Sequence, residues 1–178
     1  IVVAAYGRLL PRKILELPAK GCINVHSSLL PKYRGAAPIN WAVLNGEEET
    51  GVTIMYMAQE LDAGDIIAQA STPIDPEETV ESVHDRLAGL GARLLVQTVS
   101  RLEAGTAERT PQDGERATDA PMLSRELSPI DWTRPAREIH DQIRGLIPWP
   151  ASSTDLLGAG VVKVFGGRET GESTSRRP

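Results

Sequence analysis

The sequence has few of the residues that build disulfides or metal centres. Cys22 is the single cysteine among 178 residues, so no internal disulfide can form, as is typical of proteins from a reducing compartment. The three histidines fall on separate predicted elements. With one cysteine beside them, no zinc set of three or four ligands assembles, and we expect no metal.

Several familiar motifs are also missing. No Gly-x-Gly-x-x-Gly follows a strand, and no phosphate-binding loop with Gly-Lys-Ser/Thr occurs, so nicotinamide and nucleoside triphosphate chemistry have no support. The Gly-x-Ser-x-Gly elbow of serine hydrolases is absent. No apolar stretch is long enough to span a membrane. The net charge of -5 gives no bulk attraction for nucleic acid or for an anionic membrane.

Apolar runs and helical periods predict an α/β fold. The opening run at residues 1–5 is typical of a strand covered on both faces in a parallel sheet, and such a strand needs neighbours, so we expect further sequence upstream. A helical period from Val80 to Leu102 predicts a long helix whose apolar stripe packs and carries no chemistry. Further strands are predicted over residues 22–26, 52–57 and 66–70, with helices over 12–17 and 38–45.

The pattern divides the chain into four parts. Residues 1–105 form one α/β domain, and the polar, aperiodic residues 106–121 are predicted to be a linker. Residues 122–165 form a smaller unit with one helix and a strand near its end. Residues 166–178 are rich in Gly, Ser, Thr, Arg and Glu and are predicted to be a disordered tail.

Two polar residues near the end of one predicted strand are candidates for catalysis. Asn24 and His26 are separated by one residue, so a period of two puts both side chains on one face of the strand. They lie at its carboxyl end, where parallel sheets build their sites. An amide and an imidazolium side by side can stabilise charge that develops on a carbonyl oxygen. On this spacing alone, a buried histidine beside a hydrogen-bonded asparagine is the commoner explanation.

Asp62 is the candidate third group. It follows the third predicted strand, in the segment LDAGD at residues 61–65, and we expect its carboxylate at the same edge of the sheet. Near His26 it would favour the imidazolium, orient the ring and relay a proton through water from an attacking amine. The spacing supports equally well a carboxylate that only stabilises a turn.

Two loops leave that edge of the predicted sheet. Residues 28–35 follow the strand of His26 and hold apolar and basic members, whereas Arg8, Leu9 and Leu10 follow the first strand. The first loop can line a pocket for a flat aromatic ligand, and the second can form the opposite wall.

Six short segments follow one another in order: NVHSSLLP at residues 24–31, RGAAPI at 34–39, TGVTIM at 50–55, LDAGD at 61–65, IDW at 130–132 and IRGLIPWP at 143–150. Together they resemble the methionyl-tRNA formyltransferase family. The SLLP loop and the Asn/His/Asp trio are shared across the wider formyltransferase superfamily, whereas RGAAPI points more narrowly to the tRNA enzymes. The last two segments resemble the opening of that family's carboxyl-terminal domain.

The resemblance implies an architecture and a reaction. The chain would hold the carboxyl half of a Rossmann-like formyltransferase domain with a parallel sheet, followed by the start of an OB-like β-barrel domain. The formyl donor would be 10-formyltetrahydrofolate, and the acceptor would be the amino group of methionyl initiator tRNA. Asn24 and His26 would hold the oxygen of the tetrahedral intermediate, while Asp62 would position His26 and a water and help to move the proton.

The resemblance also implies binding residues and a setting. The backbone of Arg8, Leu9 and Leu10 would contact the pterin, and the family's folate-binding loop matches Ser28, Leu29, Leu30 and Pro31. We expect a monomer without membrane contact, in the bacterial cytosol or an organelle matrix. Because the family has about half of its first domain before Ile1 and a complete barrel later, we expect these 178 residues alone to be weakly stable and inactive.

Two other functions stay open. One is a relative that formylates a small-molecule amine or hydrolyses 10-formyltetrahydrofolate; Trp132 and residues 148–150 argue against it, because a single-domain relative would not need them. The other is a non-catalytic folate-binding or RNA-binding remnant. The acidic net charge weakens RNA binding, and the intact trio of Asn24, His26 and Asp62 weakens the idea of a retired site.

Overall fold

Strands and helices are interspersed through the first 104 residues, which confirms the α/β class. The computed structural model describes residues 1–158 and 160–170. The elements of the first part are β1 (Val2–Ala4), α1 (Arg12–Leu15), β2 (Ile23–His26), β3 (Arg34–Gly35), α2 (Pro38–Leu44), β4 (Glu49–Tyr56), β5 (Ile66–Pro73) and α3 (Val80–Ala104). Those of the second part are β6 (Asp119–Ala120), α4 (Ala136–Gly145), β7 (Ser152–Leu156) and β8 (Gly160–Val164).

The main sheet is mixed, whereas the sequence predicted a parallel one. Its strand order is β1-β2-β4-β5, and only β1 and β2 run parallel. β4 is antiparallel to both of its neighbours. Because residues 57–65 join β4 to β5 as a short loop, that pair must be antiparallel; a parallel pair would need a long crossover. The carboxyl end of β4 therefore lies beside the start of β2, where Tyr56 pairs with Ile23, and not beside His26.

Helix α3 follows its prediction closely and covers the sheet. Val83 and Leu87 of its apolar stripe are buried against Val52 and Ile54 of β4, so the stripe packs as expected. The helix ends at Gly105, which adopts the left-handed conformation that favours glycine at such ends. No helix within the described residues is both long enough and apolar enough to cross a membrane.

Residues 110–120, here called the strap, pair with the first part of the chain along their length. Thr110 exchanges two backbone hydrogen bonds with Ile66. Farther on, β6 pairs in parallel with β3, and the Thr118 carbonyl accepts from the Arg34 amide at 2.8 Å. The predicted linker over 106–121 thus includes a segment that is hydrogen-bonded to the loops above the sheet. The domain boundary itself stays a prediction.

The second part of the chain packs against the first through α4. Asn40 of α2 donates to the Gly145 carbonyl at 2.8 Å. Arg144 is buried, donates to the Glu78 carbonyl at 2.8 Å and pairs with Asp141 at 2.7 Å. Strands β7 and β8 form an antiparallel hairpin, and two strands are too few to close a barrel among the residues described here. Of the predicted tail, residues 166–170 have no regular structure, and residues 171–178 lie outside the described part.

Candidate active site

A cavity of about 500 Å³ opens where β1 and β2 end. Its size is within the range of small-molecule sites. The loop after β4 closes a third side, and Val80 and His84 of α3 also contribute. Other lining residues include Arg8, Leu9, Asn24, His26, Met55, Met57 and Asp62. The structure therefore brings the three predicted catalytic residues to one cavity.

Asn24 and His26 lie on the same face of β2, as their spacing predicted. The His26 ring is buried, and its Nε2 lies 2.9 Å from the Tyr33 carbonyl oxygen. Since a carbonyl oxygen only accepts, Nε2 carries a proton. The half-buried Asn24 amide makes no hydrogen bond to any described residue, so it is free to donate into the cavity.

The Asp62 carboxylate lies beside the other nitrogen of the same ring. Its Oδ2 is 3.6 Å from His26 Nδ1, which is too long for a direct hydrogen bond. The same oxygen accepts from the Gly35 amide at 2.9 Å. Both side chains are almost fully buried. A carboxylate in this position restricts the rotation of the ring and fixes its plane.

Asp62 reaches His26 by a returning loop, a route that differs from the one predicted. Because β4 ends beside the start of β2, residues 57–65 must fold back along the sheet. Asp62 has φ +48°, a left-handed conformation that aspartate tolerates better than most residues. A Cβ on Gly64 would collide with the Tyr56 carbonyl, so the return requires glycine there.

Buried hydrogen bonds of the loop after β2 support the site without lining the cavity. Ser28 and Leu30 are buried, and neither lines the cavity. Ser28 Oγ donates to the Lys32 carbonyl at 2.7 Å. Thr53 Oγ1 donates to the Ser28 carbonyl at 2.7 Å and accepts from the Leu30 amide at 3.1 Å. These bonds set the position of the Tyr33 carbonyl that meets His26.

Only some of the residues predicted to bind folate line the cavity. Ser27 lines the cavity, whereas Ser28, Leu29, Leu30 and Pro31 do not. On the opposite side Arg8 and Leu9 line it, and Leu10 does not. The folate-binding role of both segments stays a prediction.

Four groups at the site were not predicted from the sequence. The Tyr33 carbonyl and the Gly35 amide act through the backbone, which any residue type supplies. Gln112 lies on the aperiodic strap, and its side chain bonds the carbonyls of Asp62 and Gly64 at 2.8 Å each. His84, which the sequence placed on a separate helix, lines the cavity from a solvent-exposed position beside Asp85.

A buried phenol extends this network away from the cavity. Burial raises the pKa of Tyr33 to about 12, and its hydroxyl donates to Glu47 at 2.7 Å. Burial alone would raise the pKa of Glu47, but hydrogen bonds from Tyr33 and Lys32 lower it overall. The residue whose carbonyl holds His26 is therefore fixed at its side chain as well.

Comparison with known proteins supplies a family for this geometry. The formyl transferase model matches residues 1–99, and the model of the formyl transferase C-terminal domain matches residues 122–178. A methionyl-tRNA formyltransferase of Moorella thermoacetica is 55% identical over 177 residues, covering 99% of this chain and 57% of the relative. The chain thus spans little more than half the length of that relative.

Solved structures have the same fold. An N-formyltransferase from Helicobacter canadensis, in complex with folinic acid and dTDP-3-aminofucose, is 28% identical with a TM-score of 0.65, over 69% of this chain and 46% of that one. A 4-N formyltransferase from Francisella tularensis is 23% identical with a TM-score of 0.79, over 92% of this chain and 68% of that one. The second likeness shows the fold alone. The resemblance drawn from the six segments is confirmed.

Proposed function

The chain belongs to the formyl transferase family, and on that basis we propose that it carries the site that moves a formyl group from 10-formyltetrahydrofolate to the amino group of methionyl initiator tRNA. The observation that carries this proposal is the meeting of Asn24, His26 and Asp62 at one cavity. The tRNA acceptor is supported by relatives named methionyl-tRNA formyltransferase, two of which are 55% and 52% identical to this chain.

The cavity suits a folate as co-substrate. Its volume of about 500 Å³ is adequate for a flat pterin, and apolar side chains such as Met55, Met57 and Leu9 give it surfaces for ring contact. The bound folate supplies the formyl carbon. Residues around Arg8 and Leu9 contact the pterin on one side, and the trio lies on the other.

His26 has one nitrogen available to the reactants. Its Nε2–H is engaged by the Tyr33 carbonyl, whereas Nδ1 has only Asp62, at 3.6 Å. In the proposed mechanism the ring presents Nδ1–H to the formyl oxygen. The Asn24 amide donates to the same oxygen from the neighbouring position on β2. Two fixed donors stabilise the negative charge that develops there as the amine attacks.

Asp62 takes part in the movement of the proton. The attacking amine forms a bond to the formyl carbon and loses a proton, and the bond between that carbon and the folate nitrogen then breaks. The Asp62 carboxylate accepts the proton through a water and returns it to the departing nitrogen. Its hydrogen bond from Gly35 holds Oδ2 in place while Oδ1 stays free for the water.

The proposed acceptor indicates the cellular location. Because the substrate is an aminoacyl-tRNA of translation initiation, the protein acts in the bacterial cytosol or an organelle matrix. We propose a monomer, with the tRNA as its macromolecular partner. The acidic net charge of -5 means that any tRNA contact by this chain is local rather than a bulk attraction.

The test is formyl transfer from 10-formyltetrahydrofolate to methionyl initiator tRNA. It uses the protein encoded by the whole reading frame that contains these residues. His26→Ala is expected to lower kcat by at least about 100-fold, since it removes a fixed donor and the partner of Asp62. Asp155→Asn, an exposed residue of β7, is the matched control and keeps the wild-type rate.

Two outcomes would contradict the proposal. Equal rates for the wild type and His26→Ala would eliminate the mechanism. If the protein formylates a sugar amine, or hydrolyses 10-formyltetrahydrofolate to formate, faster than it formylates methionyl-tRNA, the chemistry would stand but the proposed acceptor would be wrong.

A further inference from the structure

One side chain of the strap joins the two loops that meet at His26. Gln112 Nε2 donates to the carbonyls of Asp62 and Gly64, each at 2.8 Å. Its Oε1 accepts from Arg34 Nη2 at 2.8 Å and from Arg34 Nε at 3.1 Å. Both protons and both lone pairs of one amide are therefore used. This group therefore links the loop after β4 to Arg34 in β3, in addition to the hydrogen bond from the Gly35 amide to Asp62.

The orientation of this amide is determined by its neighbours. A reversed Gln112 would set its NH2 against the Arg34 guanidinium and its oxygen against two carbonyl oxygens. All of those contacts would be repulsive, so only the observed orientation satisfies the partners. Asparagine lacks the reach, and glutamate lacks both N–H donors.

We propose that Gln112 is a positioning residue that sets Asp62 against His26. Asp62 is left-handed, at φ +48°, and Gln112 holds its carbonyl together with that of Gly64. Arg34, on the other side of the amide, lies next to Gly35, whose backbone N–H bonds the Asp62 carboxylate at 2.9 Å. Gln112 thereby ties the backbone of Asp62 to the segment that binds its side chain. The inference rests on the proposed function of Asp62, and Gln112 itself does not line the cavity.

Kinetics of the protein from the whole reading frame test the functional half of the proposal. Gln112→Ala is expected to lower kcat about 10- to 100-fold, as small displacements of a catalytic group do, with KM for the folate changed less than about 3-fold. Gln112→Glu keeps the length and the Arg34 contact but loses both donors, so its kcat falls as far.

A double-mutant cycle identifies the route of the effect. Because Gln112 acts through Asp62, Gln112→Ala is expected to cause no further loss of kcat when Asp62 is already Asn. Losses that multiply in the double variant would overturn the proposal. The proposal would also be overturned if Gln112→Ala lowered kcat while Gln112→Glu kept the wild-type kcat, since the glutamate variant cannot donate to the two carbonyls.

The structure offers a matched control in Gln142. Its Nε2 also donates to two carbonyls, those of Leu127 at 2.9 Å and Pro129 at 3.1 Å, but in the second part of the chain. Gln142→Ala removes the same kind of contact and lowers stability without moving Asp62. An equal fall in kcat for Gln142→Ala and Gln112→Ala would show a general loss of stability and contradict positioning.

A second readout needs no activity and uses the same protein, encoded by the whole reading frame. The Gly35 amide donates to Asp62 Oδ2, so its hydrogen exchange reports the position of that carboxylate. Gln112→Ala is expected to accelerate Gly35 exchange about 10-fold beyond the acceleration of core amides, as loss of one hydrogen bond allows. Gln142→Ala accelerates Gly35 and core amides alike.

The two readouts separate the proposals. An inactive wild type with faster Gly35 exchange in Gln112→Ala would reject the proposed function and keep the positioning of Asp62. Unchanged Gly35 exchange in Gln112→Ala would reject the positioning, whatever the activity.

Discussion

The two walls of the cavity are built in opposite ways. The held wall, residues 26–27 with 57–65, is backed by residues 28–35, and side-chain and backbone hydrogen bonds tie these segments to β4 and to the strap. The exposed wall, residues 5–10, follows a three-residue strand whose partner within the described residues is β2. Tyr6 and Leu9 of this wall are 59% and 60% exposed. One cavity therefore combines a fixed side with a loosely supported one.

The difference matches the work proposed for each wall. Groups that stabilise charge must stay within a fraction of an ångström of their place, and a hydrogen-bonded frame supplies that. Groups that only cover a ligand need surface more than position. Segments with few buried contacts open at low free energy, and within the described residues the exposed wall makes fewer such contacts than the held wall.

The largest effect comes from adding one methyl group to each wall. A Cβ on Gly64 would strike the Tyr56 carbonyl, which cannot give way without moving β4, whereas a Cβ on Gly7 meets nothing within 4 Å. Gly64→Ala is expected to cost at least about 3 kcal/mol of unfolding free energy. Gly7→Ala, at φ +70°, costs about 1 kcal/mol from backbone strain alone. Urea unfolding of both variants measures the contrast, and equal losses would contradict it.

The second effect removes one hydroxyl of β4 that supports the held wall. Thr53 is fully buried and bonds Ser28 and Leu30, and its Oγ1 also accepts from Gln69 at 2.8 Å. Thr53→Val keeps the shape but leaves the Ser28 carbonyl and the Leu30 amide without this partner, at an expected cost of about 2 kcal/mol. The reverse exchange in the exposed part, Val2→Thr, is expected to change stability by less than about 0.5 kcal/mol. A cost below 1 kcal/mol for Thr53→Val would show that the loop adapts.

The features that were predicted from the sequence are those that depend on patterns of buried residues. A period of two placed Asn24 and His26 on one face, and a helical period gave α3 almost to its ends. Both depend on apolar or alternating patterns that burial imposes. Asn24, His26 and Asp62 were also identified in the sequence, although Asp62 reaches the other two only because the loop after the antiparallel strand β4 folds back along the sheet.

The strap shows what remained invisible. Its bonds run from polar side chains to backbone groups, so the segment has no apolar period and was predicted as a linker. Gln112 has no neighbour in sequence that marks it. Only the three-dimensional course of residues 57–65 brings its two acceptors within reach. Polar frames of this kind leave composition unchanged and are missed by pattern analysis.

A pH series examines the buried phenol behind the held wall. Burial raises the pKa of Tyr33 to about 12, so the stabilisation by the neutral phenol is complete below about pH 10, the ordinary pKa of the side chain, and is lost as pH rises toward 12. Tyr33→Phe costs about 1 kcal/mol at neutral pH, from the lost bonds to Glu47 and Asn45. The wild type then loses about 1.4 kcal/mol per pH unit in this window, so the two unfolding free energies converge near pH 11. Tyr6→Phe, in the exposed wall, is the control and keeps the wild-type profile.

The smallest effect on stability is expected in the exposed wall, where binding is affected instead. Leu9 lines the cavity and is 60% exposed, so Leu9→Ala changes the unfolding free energy by less than about 0.5 kcal/mol. A folate that covers this side chain buries apolar area worth about 1 kcal/mol, and its loss raises Kd about 5-fold. Leu17 is 73% exposed and lies away from the cavity, which makes Leu17→Ala the matched control. Calorimetric titration with folinic acid measures both, and a Kd unchanged by Leu9→Ala would remove the pterin from the exposed wall.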